Sequence, residues 1–381
     1  MIDYRAALKE RSGVGEFTHQ LVRALGAVGR ADLALTLFSS SWRDRVDAPD
    51  LDRRTLTVVD RRIPVRALNF AWHRLEWPAV EALTGADADV VQAMHPLLIP
   101  TRGAARVVMI HDLNFLAHPE RTRAEIRRDY PALARDHAHR ADRIVVPSHF
   151  TAREVERQLD VAPEQISVCS PGAPDWPVRR ESRTGGYVLF FGTLEPRKNV
   201  GALLDAYEHL AASRPAGAAA LPELVLAGKA TDQSGPWLSR IARPPLAGIV
   251  RHIGYVDPAD RRKLYDGARL LVQPSFEEGF GMPVLEAMTV GLPVVAANRG
   301  ALPEVLGDGG ALVNPDDPPQ MAAAIARLLD DDAFAGACAA KGVFRARAFT
   351  WRATADAMLD AYELAIRHHR ASAPARHLRS A

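Results

Sequence analysis

Two carboxylates, Glu278 and Glu286, bracket the run Gly279-Phe280-Gly281-Met282-Pro283. Proline suits a first helical turn, where its missing N–H is no loss. The backbone amides around Phe280, Gly281 and Met282 then form the positive end of a helix, ready to hold an anion. Glu278 lies in the loop and Glu286 one turn into the helix, so both can face one crevice, and a carboxylate there can accept from two hydroxyl donors. A second run, Gly192-Thr193-Leu194-Glu195-Pro196-Arg197-Lys198-Asn199, sets a guanidinium and an ammonium at the start of another helix. Cations there oppose the helix dipole unless an anion lies between, so the pair points to phosphate rather than to two solvated side chains. His111-Asp112 closes an apolar run, and Gly13, Val14 and Gly15 open a helix. Taken alone, His111 reads equally well as a structural strand-end histidine. The glycine run lacks the third glycine and the later acid of a dinucleotide fingerprint, which disfavours a dehydrogenase.

Short apolar runs alternate with helix-length stretches almost throughout, the pattern of βα units around parallel sheets. In the first half strands are expected at 33–38, 55–59, 89–93, 106–110, 143–147 and 166–169, with helices near 14–28, 121–140 and 148–159, the last capped by Ser148. The opening Met1-Ile2-Asp3 gives only a weak first strand. Prolines and glycines in 170–186 mark a linker. Strands then resume at 187–191, 223–227, 249–253, 269–273, 293–296 and 311–313. Helices are expected at 199–213, 236–242, 258–266, 283–290, 318–330, 332–345 and 351–369. The fold class is therefore α/β, with two doubly wound domains at 1–175 and 176–350 and the final helix returning to the first. Ligands of such sheets bind at the carboxyl ends of the strands.

With 381 residues, the chain is long enough for two cores. Forty-eight basic residues against 46 acidic ones leave a net charge of +2, which argues against a nucleic-acid partner. Two cysteines, Cys169 and Cys338, exclude a disulfide framework and fit a reducing, cytoplasmic setting. The scattered histidines form no metal-ligand motif, so no metal and no cofactor are expected. The segment 61–80 interleaves arginines with Phe70, Trp72 and Trp77. Aromatics at helical spacing are more often core, but the same pattern suits a helix on the inner membrane surface. The arginine-rich stretch 121–143 and the His368-His369 pair read as solvated.

The Glu278-to-Glu286 spacing with its Gly-Phe-Gly resembles the signature of retaining GT-B glycosyltransferases of family 4, in particular a mannosyltransferase-like bacterial subset. The 192–199 run is similar to that family's basic segment, although many relatives carry arginine where this chain has Thr193. The resemblance implies a fold of two Rossmann-like domains facing a central cleft, and transfer of a hexose from a nucleotide-diphosphate sugar to a glycan or glycolipid acceptor in cell-surface polysaccharide assembly. It implies catalytic roles for His111, Glu278, Arg197 and Lys198, with Asp112 orienting His111. Donor contacts fall to Gly13, Val14, Gly15, Gly192, Tyr255, Val256, Gly279, Phe280, Gly281, Met282 and Glu286. It places Gly300 in a loop that packs closely or approaches the donor, and His95 on the acceptor side. Glu278 and Lys198 are expected in solvent-facing loops, replaceable by alanine without cost to the fold. A sugar-nucleotide epimerase of the same fold and a non-catalytic nucleotide-sugar-binding scaffold remain as alternatives.

Overall fold

Seven short apolar runs in the first part of the chain become strands: β1 (Ile2–Asp3), β2 (Leu35–Ser40), β3 (Leu56–Arg61), β4 (Val90–Ala93), β5 (Ala105–Met109), β6 (Arg143–Val146) and β7 (Ile166–Val168). The computed structural model describes all residues except 9, 10, 12, 118–123, 181–184, 215–219 and 377–381. Ser12, the start of the expected helix at 121–140 and part of the expected linker thus lie outside the described residues. The strands form one sheet in the order β3-β2-β1-β4-β5-β6-β7, parallel throughout. β1 has only two residues yet sits centrally, its backbone paired to both β2 and β4. Sequence patterning undervalues it because its second residue, Asp3, is charged. That carboxylate is buried and accepts two hydrogen bonds from the Arg5 guanidinium, at 2.8 and 2.7 Å.

Six more strands follow: β8 (Tyr187–Phe191), β9 (Leu224–Ala227), β10 (Val250–Gly254), β11 (Ala268–Gln273), β12 (Val294–Ala297) and β13 (Ala311–Val313). They form a second parallel sheet, ordered β10-β9-β8-β11-β12-β13. Both of its faces are covered. Val188, Phe190, Leu270 and Val272 enter one core, while the alternate residues Leu189 and Leu271 enter the other. This explains why the strands read as continuous apolar runs instead of alternating ones. Truncating one of these leucines to alanine costs about 2–5 kcal/mol, because the close-packed sites relax only in part.

The chain divides into Met1–Gly172 with Thr350–Ala381, and Ala173–Phe349. The helix Trp351–Arg376 gives Ala355, Met358, Tyr362 and Ala365 to the core of the first unit. The segment after Gly172 is strapped onto the second unit: Arg179 donates to the carbonyls of Ala268 and Gly291, and Arg262 to that of Pro177. Ser148 caps the helix His149–Leu159, its hydroxyl accepting from the Thr151 amide at 3.1 Å.

Several surface expectations are corrected. Segment 61–80 is not one helix: it leaves β3, forms the helix Val65–Phe70, widens into a π-helical turn at Ala71–Leu75 and restarts at Val80–Thr84. Trp72 is core, whereas Phe70 and Trp77 stand outside. Asp142 is buried rather than solvated, and His369 is not free, since its Nδ1 lies 3.1 Å from Asp142. Burial opposes ionisation of Asp142, but the Arg106 amide and guanidinium and His369 hold its pKa below the ordinary value.

Candidate functional site

At the carboxyl end of β8 the chain turns through Gly192 into a single 3-10 turn, Pro196–Lys198. Asn199 then takes a left-handed backbone, with φ 57°, and opens the helix Val200–Ser213. The Asn199 amide fixes this turn by donating to the carbonyls of Pro274 and Pro315. At the neighbouring end of β11, Gly281 adopts φ 99° and opens the helix Met282–Thr289. A side chain at Gly281 would strike Leu302 at 2.6 Å. These two turns flank β8 and β11, where the strand order reverses, the usual ligand position in an open α/β sheet.

Glu278 and Lys198 meet there, the ammonium 2.5 Å from Oε1. Gln273 Nε2 and Ser275 Oγ also donate to Oε1, at 2.9 and 2.8 Å. Arg197 Nη1 lies 3.5 Å from Oε2, and its Nε is 2.7 Å from Glu195. Glu278 is only 6% exposed and Lys198 7%. The expectation of solvent-facing loops is therefore wrong: both charges are buried, and each is held by the other. Burial works against the Glu278 carboxylate, yet Lys198 and Arg197 outweigh it and hold its pKa down at about 2. Burial and Arg197 pull the Lys198 ammonium below its ordinary value, with Glu278 pulling back.

Glu286 sits in a separate network, accepting from Tyr265 Oη at 2.7 Å and from Arg261 at 3.2 Å. Burial, then the adjoining carboxylate, pushes the Tyr265 phenol well above its ordinary pKa. Phe280 is buried against Phe349, with centroids 5.5 Å apart, so this position offers a ligand only its backbone. Met282 and Val256 pack on the same core, and Tyr255 is exposed beyond β10. Gly192 lies under the Gly228 bend, where an added Cβ would come within 2.0 Å of the Gly192 carbonyl. At Gly300, with φ 62°, a Cβ would fall 2.7 Å from the Glu278 carbonyl. The backbone of that loop also binds Glu278, through the Ala301 amide at 2.9 Å. Gly300 serves close packing.

In the first unit, His111 follows β5 and packs edge-on against Phe17, centroids 5.5 Å apart. Burial lowers its pKa to about 4, despite the Asp112 charge and a hydrogen bond to the Met94 backbone. Its Nε2 is buried with no hydrogen-bond partner among the described residues. Asp112 acts on the ring through its charge, and its carboxylate accepts from the Asn114 amide at 3.2 Å. Gly13 has φ 47° before the helix Val14–Ala27. Gly15 is required by packing, since a Cβ there would meet the Ala6 carbonyl at 2.5 Å. His95 lies 3.6 Å from the buried Asp3.

Sequence reasoning missed Gln273, Ser275, Arg261 and Tyr265. Gln273 and Ser275 carried a signal, as polar residues ending the apolar run Leu270-Leu271-Val272 just before Glu278. Arg261 and Tyr265 are four apart on one helix, a spacing too common to single out.

Residues 185–331 match the family model described as Glycosyl transferases group 1, and residues 11–175 match Glycosyltransferase Family 4. The O-antigen chain mannosyltransferase B of Escherichia coli is 31% identical over 374 residues, spanning 93% of this chain and 96% of that protein. The chain belongs to this glycosyltransferase family. Solved structures share its fold. Sucrose-phosphate synthase from Thermosynechococcus elongatus superposes with TM-score 0.75 at 20% identity, over 95% of this chain and 97% of that one. Anabaena HepE in complex with UDP and glucose gives 0.68 at 19%, over 95% and 98%. The two parallel-sheet, Rossmann-like units make the fold GT-B. The chain is a glycosyltransferase, which sets the epimerase and scaffold alternatives aside.

Proposed function

We propose that this glycosyltransferase moves a hexose of the mannose or glucose type from a nucleotide-diphosphate sugar to a glycan or lipid-linked acceptor. Anomeric configuration is retained, and neither metal nor cofactor takes part. The carrying observation is the buried Glu278–Lys198 pair, with the half-buried Arg197 at its edge, beside the Gly281 bend. Of the three Lys198 protons one is committed to Glu278, which leaves two for phosphate oxygens. Arg197 and the amides opening the helix Met282–Thr289 complete a cationic seat for the departing diphosphate.

Glu278 Oε1 takes three donors, which fixes the carboxylate and leaves Oε2 for a hydroxyl of the transferred sugar. Glu286, anchored by Tyr265 and Arg261, is suited to the ribose, and Tyr255 and Val256 to the base. The backbones of Gly13, Val14, Gly192, Gly279 and Phe280 approach the donor. His111, a neutral ring with an unpaired buried Nε2, offers one hydrogen bond to a sugar hydroxyl. The second carboxylate at the cluster, Glu195, is tied to the Arg197 guanidinium at 2.7 Å and in this reading does not act as a nucleophile. The leaving phosphate therefore takes the acceptor proton as the new bond forms on the same face.

The mannosyltransferase relative supports mannose as the sugar and O-antigen-type polysaccharide as the product class, and HepE, holding UDP and glucose, supports a nucleotide-sugar donor. The setting in this reading is the cytoplasm, which two free buried cysteines fit. Thermal melts with UDP-, GDP- and ADP-sugars identify the donor, because a ligand of the folded state raises the melting point. Proton NMR of the product then reads the anomeric configuration, in buffer containing EDTA. An inverted product, or activity lost in EDTA and restored by magnesium, overturns the corresponding part of this reading. No melting shift with any sugar nucleotide overturns the whole.

A further inference from the structure

Polar contacts alone do not aim the His111 ring. It is hydrogen-bonded to the Met94 backbone, and its Nε2 finds no hydrogen-bond partner among the described residues. A single bond fixes one point of an imidazole and leaves the ring free to swing about it. Its direction must come from what packs against it. Phe17 supplies that second constraint: the two ring centroids lie 5.5 Å apart with their planes at 80°. An edge-to-face contact of this kind favours one orientation over others. Phe17 stands in the first turn of the helix Val14–Ala27, its amide donating to the Gly13 carbonyl at 3.0 Å, and it is fully buried.

Phe17 is held in turn. Trp351, the first residue of the helix Trp351–Arg376, packs on it with centroids 5.8 Å apart and planes at 55°. Trp351 is itself seated closely on Gly172, where an added Cβ would come 2.6 Å from the indole Cγ and 2.2 Å from the Trp351 backbone nitrogen. Two bonds pin this helix start. Thr350 Oγ1 accepts from the Ala353 amide at 3.1 Å, and Thr354 Oγ1 donates to the Ser170 carbonyl at 2.6 Å. Contact therefore runs from the start of the last helix to His111, through two side chains that carry no acid, base or nucleophile.

We propose that Phe17 and Trp351 are positioning residues: packed in series, they aim the His111 ring so that Nε2 meets a hydroxyl of the transferred sugar. This rests on the reading of His111 as a contact of that sugar. Neither aromatic touches substrate. What they supply is orientation, and a catalytic hydrogen bond held loosely by as little as half an ångström or so loses much of its effect. Two aromatics that merely filled the core of the first unit would instead lower the melting temperature and leave turnover per folded molecule unchanged.

The test is steady-state kinetics of the full chain, well below the melting temperature of every variant. The rate read is nucleotide release, in the presence of acceptor, from whichever of the UDP-, GDP- and ADP-sugars raises the melting point most. Trp351→Leu removes the ring from a half-buried position and should lower kcat about tenfold with KM for the sugar nucleotide little changed. Trp351→Phe keeps an aromatic face and should restore most of that loss. Phe17→Leu should lower kcat at least as far; if it does not fold, the Trp351 variants decide alone. In a His111→Ala background both leucine substitutions should be silent, because the ring they aim is gone. Equal losses with and without His111, a Trp351→Phe enzyme as slow as Trp351→Leu, or a Trp351→Leu enzyme that turns over like wild type overturns the proposal. His111→Ala by itself tests the underlying role. Wild-type turnover there removes that role and the proposal with it, whereas slow turnover with additive losses leaves the role standing and strikes only the aromatic series.

Discussion

Removing Lys198 should damage the protein twice, and a compensating change should repair only one of the injuries. In Lys198→Met the buried Glu278 carboxylate keeps Gln273 and Ser275 but loses its nearest cation. Breaking a buried ion pair from one side costs about 3–5 kcal/mol. The pKa points the same way, since Lys198 and then Arg197 outweigh burial and lower it from 4.5 to about 2. The sign follows from the depressed folded pKa. This stability is present above pH 4.5 and is lost as pH falls through that value toward about 2. In calorimetry at pH 7 the second unit's transition should drop by roughly 6–20 °C, and its acid sensitivity should weaken. The double variant Lys198→Met/Glu278→Gln leaves no unpaired charge and should recover to within about 1 kcal/mol of wild type. Transfer, measured as nucleotide release in the presence of acceptor, should stay at least about 100-fold down in both variants, because the diphosphate seat is gone. A double variant that regains transfer along with stability would refute the reasoning, since the pair would then be structural only.

Four further outcomes follow from the same geometry. Gln273→Leu keeps the volume but removes one donor to Glu278, and should lower kcat about tenfold with KM for donor little changed, read by initial rates. The His111 ring has a lowered folded pKa, so its contribution falls as pH drops from 6.5 toward about 4, when the unfolded chain protonates first; His111→Gln should flatten this part of the first unit's stability profile. The same ring is neutral at assay pH, so the transfer rate should show no His111 titration between about pH 6 and 8. Gly300→Ala forces a Cβ against the Glu278 backbone at 2.7 Å and a strained φ, and should cost about 1–3 kcal/mol in the second unit's melt.

Much of this site was legible because its backbone has special needs. Glycines at 281 and 300 and the proline at 283 mark bends that few other residues can make, and the basic pair at 197–198 stands out against a helix start. Burial was not legible. Glu278 and Lys198 look like loop surface because a sequence shows each charge but not its partner 80 positions away. The same blindness hid the His369–Asp142 contact, which spans 227 positions. β1 was faint because a central strand of two residues has no period, and its Asp3 is made tolerable by Arg5, a residue outside the strand. Trp72 and Trp77 could not be sorted into core and surface by spacing, because the helix widens between Ala71 and Leu75 and shifts the register of its faces.

The four side chains Glu195, Arg197, Lys198 and Glu278 carry two charges of each sign and already satisfy one another. A vacant pocket of bare cations would sequester whatever small oxyanion the cell held in abundance. This one is self-quenched, so occupancy demands a guest that offers enough simultaneous handholds to loosen the internal pairing. Orthophosphate, with too few, should inhibit feebly at concentrations where a nucleoside diphosphate competes well.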